Sequence, residues 1–570
     1  MCAAVLAGAG ASERDDVKLP DIGSSAAGLV SPEELRDYGA AMLQAMRAYD
    51  IIEDDPLLSD YINALGWKLV ANSERPDISF YFFTVRDDQI NAFAAPGGFV
   101  GVNAGLITAM RTEDELAGVL AHEISHVQQQ HILRAFEDQQ KMSVPILLGM
   151  LGVAIAGAHA SNGQASSAAL VVGQSIFVQR QINFTRSQEA EADRIGIQTL
   201  ARSGFDPNAM AGAFQTLQTM MRVNGVDVPE FLLDHPLDTK RIAEAKARAE
   251  QIGCPHMQRI ATTTRPSAPT GQLDLGLPTR PLVADSAPSV DNASAKTSAM
   301  DAAGDTTTMT VEPGSGHGKT LPQVSVKTCT PRPQPTIDQF EMMRERVRVL
   351  TATSAPAIRA YYADNLRDDK TFDTLANRYG YALALISTHM PQQAATELRK
   401  LVAQYPTSSI LRLALANAQD QSGDKSGALK IYEQLNSDFP GNRAITLTYA
   451  DALMARTDPP NARRALDLLR TQVERHSDDP DLQKSYGRAN ELAGDKVRAA
   501  EAFADAAYLT GHAEDALNQL KALSKQPNLT YYQRSRIDAR IAELTPKVLE
   551  LRKRNSPQPK SLALACCSPG

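Results

Sequence analysis

The chain has 570 residues and a net charge of −8, with no long run of Lys or Arg, so it lacks the basic footprint of a nucleic-acid binder. At roughly 150 residues per domain it is too long for one ordinary core, which implies two or three folded units with connecting chain between them. Aromatic residues make up only 5% while Ala is abundant, a composition that favours helices packed through small side chains over sheets. The expected fold class is mainly α.

Residues 1–12, MCAAVLAGAGAS, read as the back half of a secretory signal or as a disordered Ala/Gly start, because the basic flank of a signal is missing. Ser31, Pro32 and Glu34 form a capping box with Pro at the first helical position, and two helices follow as far as Ala71. Residues 78–107, ISFYFFTVRDDQINAFAAPGGFVGVNAGLI, are rich in Phe, Tyr, Val and Ile around a Pro-Gly-Gly break, which predicts short strands joined by a tight turn.

Thr112 to about Gln139 returns to helix, with Thr112 and Glu115 as a second capping box and Leu116, Val119, Leu120 and Val127 as an apolar stripe. Val144 to Ala158 is apolar all round but shorter than the roughly 20 residues a spanning helix needs, so a buried hairpin or a membrane-touching segment is expected. A polar break at 161–167 precedes helix over 168–203, and helix resumes over 207–251. From 255 to 335 Thr, Ser, Pro, Ala and Gly dominate and large apolar residues are few, the composition of a disordered linker. Of the five cysteines, Cys254 and Cys329 bracket this linker and could pair in an oxidising compartment. Cys2, Cys566 and Cys567 carry no metal-site spacing.

Beyond Thr336 the sequence repeats. ATELRKLVAQYP and ALKIYEQLNSDFP end on Pro406 and Pro440, and Ala394, Ala428, Ala465 and Ala499 recur at 34, 37 and 34 residues. That is the tetratricopeptide period, in which each unit is a helix pair brought close by small residues. Pro459 and Pro460 mark an insertion that stretches one unit. The expected layout is 1–30 signal-like or disordered, 31–254 an enzyme domain, 255–335 linker, 336–550 repeats and 551–570 a disordered tail.

The chemistry concentrates in two short segments. His122-Glu123-Ile124-Ser125-His126 is HExxH on a helix, where a four-residue spacing is just over one turn and aims both imidazoles at one ion. Glu123 then sits where a carboxylate can take the proton of a zinc-activated water. A third ligand is required; a His ten residues after His122 would supply it, but that position is Ile132, and His131 would face elsewhere on the helix. In FTRSQEAEADRIG, Glu189 and Asp193 stand one turn apart and can face the HExxH helix together. Glu189 would complete a His2Glu set, Asp193 could accept the outer N–H of a liganding His, and Glu191, turned away, is the weaker alternative to Glu189.

With these motifs in hand, HEISH followed by RSQEAEAD resembles the gluzincin metallopeptidases that include the CAAX prenyl proteases and HtpX, and the repeat tail narrows the likeness to BepA-like periplasmic proteins. The resemblance spans about 50–249 and 336 onward; the long linker departs from it. It implies an α+β zincin-type metallopeptidase domain with a small sheet followed by an α-α tetratricopeptide solenoid. It also implies one Zn2+ per chain on His122, His126 and Glu189, with Glu123 as catalytic acid/base and Asp193 as the partner of a ligand. The strand region would pair with an extended substrate, so that Asn91 to Gly98 border the cleft. HPLDTKRI resembles a family segment whose His can approach the zinc, making His235 a regulatory fourth ligand, or else a helix-capping or surface His before Pro236. Arg241 would steady an oxyanion or form a surface salt bridge.

The implied activity is zinc endoproteolysis of unfolded or misassembled envelope proteins in outer-membrane protein quality control. The repeats would dock a client or the outer-membrane assembly machinery, in the periplasm and with at most peripheral membrane contact. The alternative is a chaperone or assembly factor whose zinc site is mostly held shut.

Overall fold

The computed structural model describes residues 31–138, 186–224, 231, 235, 237, 239–252 and 338–555. The N-terminal 30 residues, the apolar stretch at 144–158, the polar break at 161–167, the whole linker at 255–335 and all five cysteines lie outside the described residues.

Helix α1 (Pro32–Ala48) starts at the expected capping box, in which the Glu34 amide donates to Ser31 Oγ and the Ser31 amide donates to Glu34 Oε2. Helix α2 (Pro56–Val70) starts at Asp55, whose carboxylate accepts from the Leu58 amide. Strands β1 (Tyr81–Val85), β2 (Ala92–Ala95) and β3 (Phe99–Asn103) form one sheet in the order β1-β3-β2. β3 runs parallel to β1 and antiparallel to β2, so among the described strands β2 is an edge. The β2–β3 turn passes through Gly97 and Gly98 at φ of +78° and +86°; a Cβ at Gly98 would meet the Ser79 carbonyl oxygen.

Helices α3 (Ala104–Ala109) and α4 (Glu113–Gln128) follow. Thr112 caps α4 by accepting from the Glu115 amide, but Glu115 does not close the box. Its carboxylate instead takes the Arg111 amide and guanidinium and the Thr216 hydroxyl. The single helix expected over 112–139 is broken: Gln130 takes a left-handed φ of +54°, and a separate helix α5 (His131–Asp138) begins. Helices α6 (Arg186–Arg202), α7 (Ala209–Asn224) and α8 (Thr239–Ile252) complete the N-terminal part.

The rest is helix pairs in series: α9 (Gln339–Leu350) with α10 (Ala355–Asp368), α11 (Leu375–Ser387) with α12 (Pro391–Gln404), and α13 (Ser409–Gln421) with α14 (Lys425–Asp438). They continue with α15 (Arg443–Met454) and α16 (Pro459–Arg475), α17 (Pro480–Ala493) and α18 (Lys496–Leu509), then α19 (Ala513–Ser524) and α20 (Tyr531–Asn555). The turn inside four successive pairs is made by one left-handed residue, at His389, Gly423, Thr457 and Gly494. Those positions are 34, 34 and 37 residues apart, the period set by the sequence. The three extra residues lengthen α16, which has 17 residues where α14 and α18 have 14. Ala394, Ala428, Ala465 and Ala499 are all buried in the second helices of their pairs. Helix α20 continues through Pro546 and runs to Asn555, past the expected end at 550; no Pro or Gly lies between 550 and Pro557.

The N-terminal part and the helix pairs share one apolar core, reaching from Leu58, Ile62 and Leu116 through Phe340 and Tyr379 to Leu482. Helix α9 packs on α2 and α3, and α15 packs on α2. Arg346 grips Asp55 with Nε at 2.7 Å and Nη2 at 2.5 Å and also donates to the Tyr379 hydroxyl. Asp60 accepts from the Ala444 amide at 3.3 Å, with Arg443 Nη1 4.0 Å away. Beside this seam opens a cavity of about 290 Å³ lined by Leu57, Val349, Leu383, Ile386 and Leu413. No helix among the described residues is long and apolar enough to cross a membrane.

Candidate metal centre and active site

Helix α4 carries His122, Glu123 and His126, and all three side chains are fully buried. Helix α6 lies against it at close range because the contact residues are small: a Cβ at Gly196 would come within 3.2 Å of the Ala121 carbonyl carbon. That approach carries Glu189 and Asp193 to the imidazoles. Glu189 Oε1 lies 3.4 Å from His126 Nε2, Glu189 Oε2 lies 3.5 Å from His122 Nε2, and the two Nε2 atoms are 2.9 Å apart. His235 joins them, with Nδ1 3.3 Å from His122 Nε2 and 3.0 Å from Glu189 Oε1.

One ligand atom from each of His122, His126, Glu189 and His235 falls within 4.8 Å of the other three. Four donors held about 2.0–2.1 Å from a tetrahedral zinc would be roughly 3.3 Å apart, and the separations of 2.9 to 3.5 Å fit that figure. The donor set is also the nitrogen and carboxylate chemistry that zinc takes.

Each ligand candidate has its own support. His122 Nδ1 lies 3.0 Å from Asp193 Oδ1, and Asp193 is gripped by Arg241 through Nε and Nη2, both at 2.8 Å. Arg241 Nη1 reaches Glu189 Oε2 at 2.7 Å. The guanidinium works on two carboxylates, and its burial rules out the surface salt bridge that was one of the two expected roles. His131 does not face away as expected of one continuous helix. The break at Gln130 turns it back, placing Nδ1 3.0 Å from His126 Nδ1 and Nε2 3.1 Å from Glu191 Oε2. Glu191 is thus not brought to the imidazole pair of α4 but to His131 and Arg134.

Burial opposes charging of His122, yet Asp193 and Glu189 outweigh it and lift its pKa to about 9. Burial together with the neighbouring charge of His122 drives His126 well below the usual imidazole value. Burial raises Glu123, against the pull of His235 and His122. Glu189 is held well below the carboxylate range in spite of burial, by His235 and His122.

His235 is fixed from outside the ligand set. Its ring stacks on Phe231, with centroids 4.6 Å apart, and its amide donates to the Phe231 carbonyl. The Phe231 amide in turn donates to the carbonyl of Ile90, two residues before β2. Phe231 thus links His235 to the chain just before the edge strand, and His235 Nε2 lies 3.5 Å from Glu123 Oε1.

Peptidase family M48 matches residues 56–249. A beta-barrel assembly-enhancing protease of Yersinia pestis is 30% identical over 533 residues, 92% of this chain and 91% of that one. Its counterpart in Escherichia coli strain K12 is 29% identical over 527 residues, with the same shares covered. The mitochondrial metalloendopeptidase OMA1 of Schizosaccharomyces pombe is 27% identical over 231 residues, 39% of this chain and 62% of the relative. With the HExxH helix and its acidic partner helix inside the matched segment, and nine-tenths of two full-length chains in register, the chain belongs to peptidase family M48 and is a metallopeptidase.

Proposed function

We propose that this metallopeptidase is a zinc endopeptidase in the quality control of outer-membrane β-barrel proteins, with His122, His126 and Glu189 as ligands and Glu123 as acid/base. The observation carrying this is the convergence of two imidazole nitrogens and a carboxylate on one point, with Glu123 on the same helix and the edge strand β2 packed beside it. The catalytic domain is 31–254, and the pairs from 336 onward are tetratricopeptide repeats joined to it by a linker over 255–335. The likeness to proteases named for β-barrel assembly and the signal-like start favour the periplasm.

Zinc, when bound, supplies a water with a pKa of about 7 and polarises the scissile carbonyl. Glu123, whose pKa is raised by burial, would act as base toward that water and as acid toward the leaving amine. Asp193 holds His122 in the tautomer that leaves Nε2 free to bind. Strand β2, at the sheet edge, offers backbone groups to an extended substrate along Asn91 to Gly98. The apolar cavity where α2 meets the helix pairs suits side chains of an unfolded client or of an assembly partner.

Glu123→Gln should keep zinc and lower cleavage of an unfolded outer-membrane protein by about 10²–10⁴-fold; cleavage at the wild-type rate would rule the mechanism out. A second reading, a chaperone or assembly factor with a restrained site, is favoured by His235, which stands where a catalytic site needs an open position. His235→Ala should then raise proteolysis, and a Glu123→Gln chain that fully restored the envelope of a deletion strain would favour the chaperone.

A further inference from the structure

The two histidines of the HExxH pair are supported by different chemistry. Behind His122 stands a carboxylate locked by a buried guanidinium. Behind His126 stands a second imidazole, that of His131, which is itself fully buried. Its presence is a product of the backbone: Gln130 at φ +54° ends α4 and starts α5 one residue later, and the Gln188 side chain donates to the His131 carbonyl at 3.4 Å.

We infer that His131 is a positioning residue for His126, the middle member of a hydrogen-bonded relay that runs from His126 through His131 to Glu191 and Arg134. The inference rests on the zinc centre proposed above and adds a role for three residues outside it. A ring that binds through Nε2 carries its proton on Nδ1. His126 Nδ1 therefore donates, and His131 Nδ1, 3.0 Å away, accepts. The proton of the neutral His131 ring is then on Nε2, which donates to Glu191 Oε2 at 3.1 Å. Arg134 Nη1 donates to the same oxygen at 3.3 Å and closes the outer end of the relay.

Every tautomer in the chain follows from the first, and the ring of His126 is oriented by a buried partner. The relay also gives the acidic residues of α6 different tasks. Glu189 and Asp193 serve the inner face of α4, and Glu191 serves the α4–α5 corner. The outer relay ends on partly exposed groups, Glu191 at 29% and Arg134 at 38%, whereas the inner one ends on buried Arg241.

The test is a competition titration of the full-length chain between zinc and a chromophoric chelator, with the visible spectrum of the Co2+-loaded protein as a second readout. His131→Phe keeps the ring shape and removes the acceptor; it should weaken zinc binding about 10–100-fold and alter the Co2+ bands. His131→Asn puts an oxygen where Nδ1 stood and should recover most of that loss, which a purely packing role for the ring would not allow. His131→Phe binding zinc as wild type does, or His131→Asn failing as badly as His131→Phe, would overturn the relay while leaving the centre intact. A wild-type chain that took up no zinc would instead sink the centre and the relay with it.

Discussion

Two clusters of buried ionisable groups among the described residues are built by opposite rules. At the centre of the N-terminal part, three imidazoles and a carboxylate aim their lone pairs at one another, and two further carboxylates and a guanidinium crowd around them. At the seam with the helix pairs, guanidiniums stand against carboxylates: Arg346 against Asp55, and Arg443 against Asp479 and Asp481 with Asp60 4.0 Å away. The second pattern needs no ligand, since each guanidinium has a carboxylate in contact. The first does: donors that converge on a point are costly to bury unless a cation stands there. Comparing the two separates a site built for a ligand from one built for adhesion.

The sharpest way to break the comparison is to remove a convergent donor. A structural zinc site is worth roughly 10–16 kcal/mol over its ligands, so Glu189→Ala should cost about 3–4 kcal/mol, a several-hundred-fold loss of zinc affinity or more. Metal content after dialysis reads this directly. Zinc retained at the wild-type level would mean that Glu189, though 3.4 Å from His126, is not a ligand.

At the seam, removing one member of a buried pair leaves the other charge stranded, and Arg346→Met should destabilise the chain by about 3–5 kcal/mol in urea unfolding. The double change Arg346→Met with Asp55→Asn should recover much of this, because Asn still caps α2 toward Leu58 and no charge remains. A double variant no better than the single one would show that Arg346 acts through Tyr379 instead.

Much of this was legible beforehand, for physical reasons that can be named. HExxH and the Glu189/Asp193 turn are local spacings on helices, and spacing alone brings such side chains onto one face. The 34-residue period survives as the recurrence of one left-handed turn residue. His131 was misjudged because a helix was extended through QQQ, where nothing in residue type marks the left-handed Gln130. Arg241 was misjudged because its burial depends on how α8 packs on α6, a tertiary fact with no local signature. The docking of α9 on α2 was also invisible: a linker composition says nothing about whether the parts it joins adhere.

The smallest effect, and the finest test of the seam, concerns Asp60. Burial outweighs Arg443 and the Ala444 amide and lifts its carboxyl from 3.8 to about 7, with Asp479 and Asp55 adding repulsion. Its neighbour on α2, Asp55, is opposed by the same burial but is held low by the closer guanidinium of Arg346. A raised carboxyl contributes stability that is complete below about pH 4, where the unfolded chain is protonated too, and that is lost as the pH rises through 7. The difference is at most about 4 kcal/mol, less once water and Arg443 relax around the charge. Wild-type stability should therefore fall between pH 5 and pH 8 more than that of Asp60→Asn, whose amide cannot ionise. Parallel pH profiles for the two chains would mean that Arg443, at 4.0 Å, already neutralises Asp60 as fully as Arg346 does Asp55.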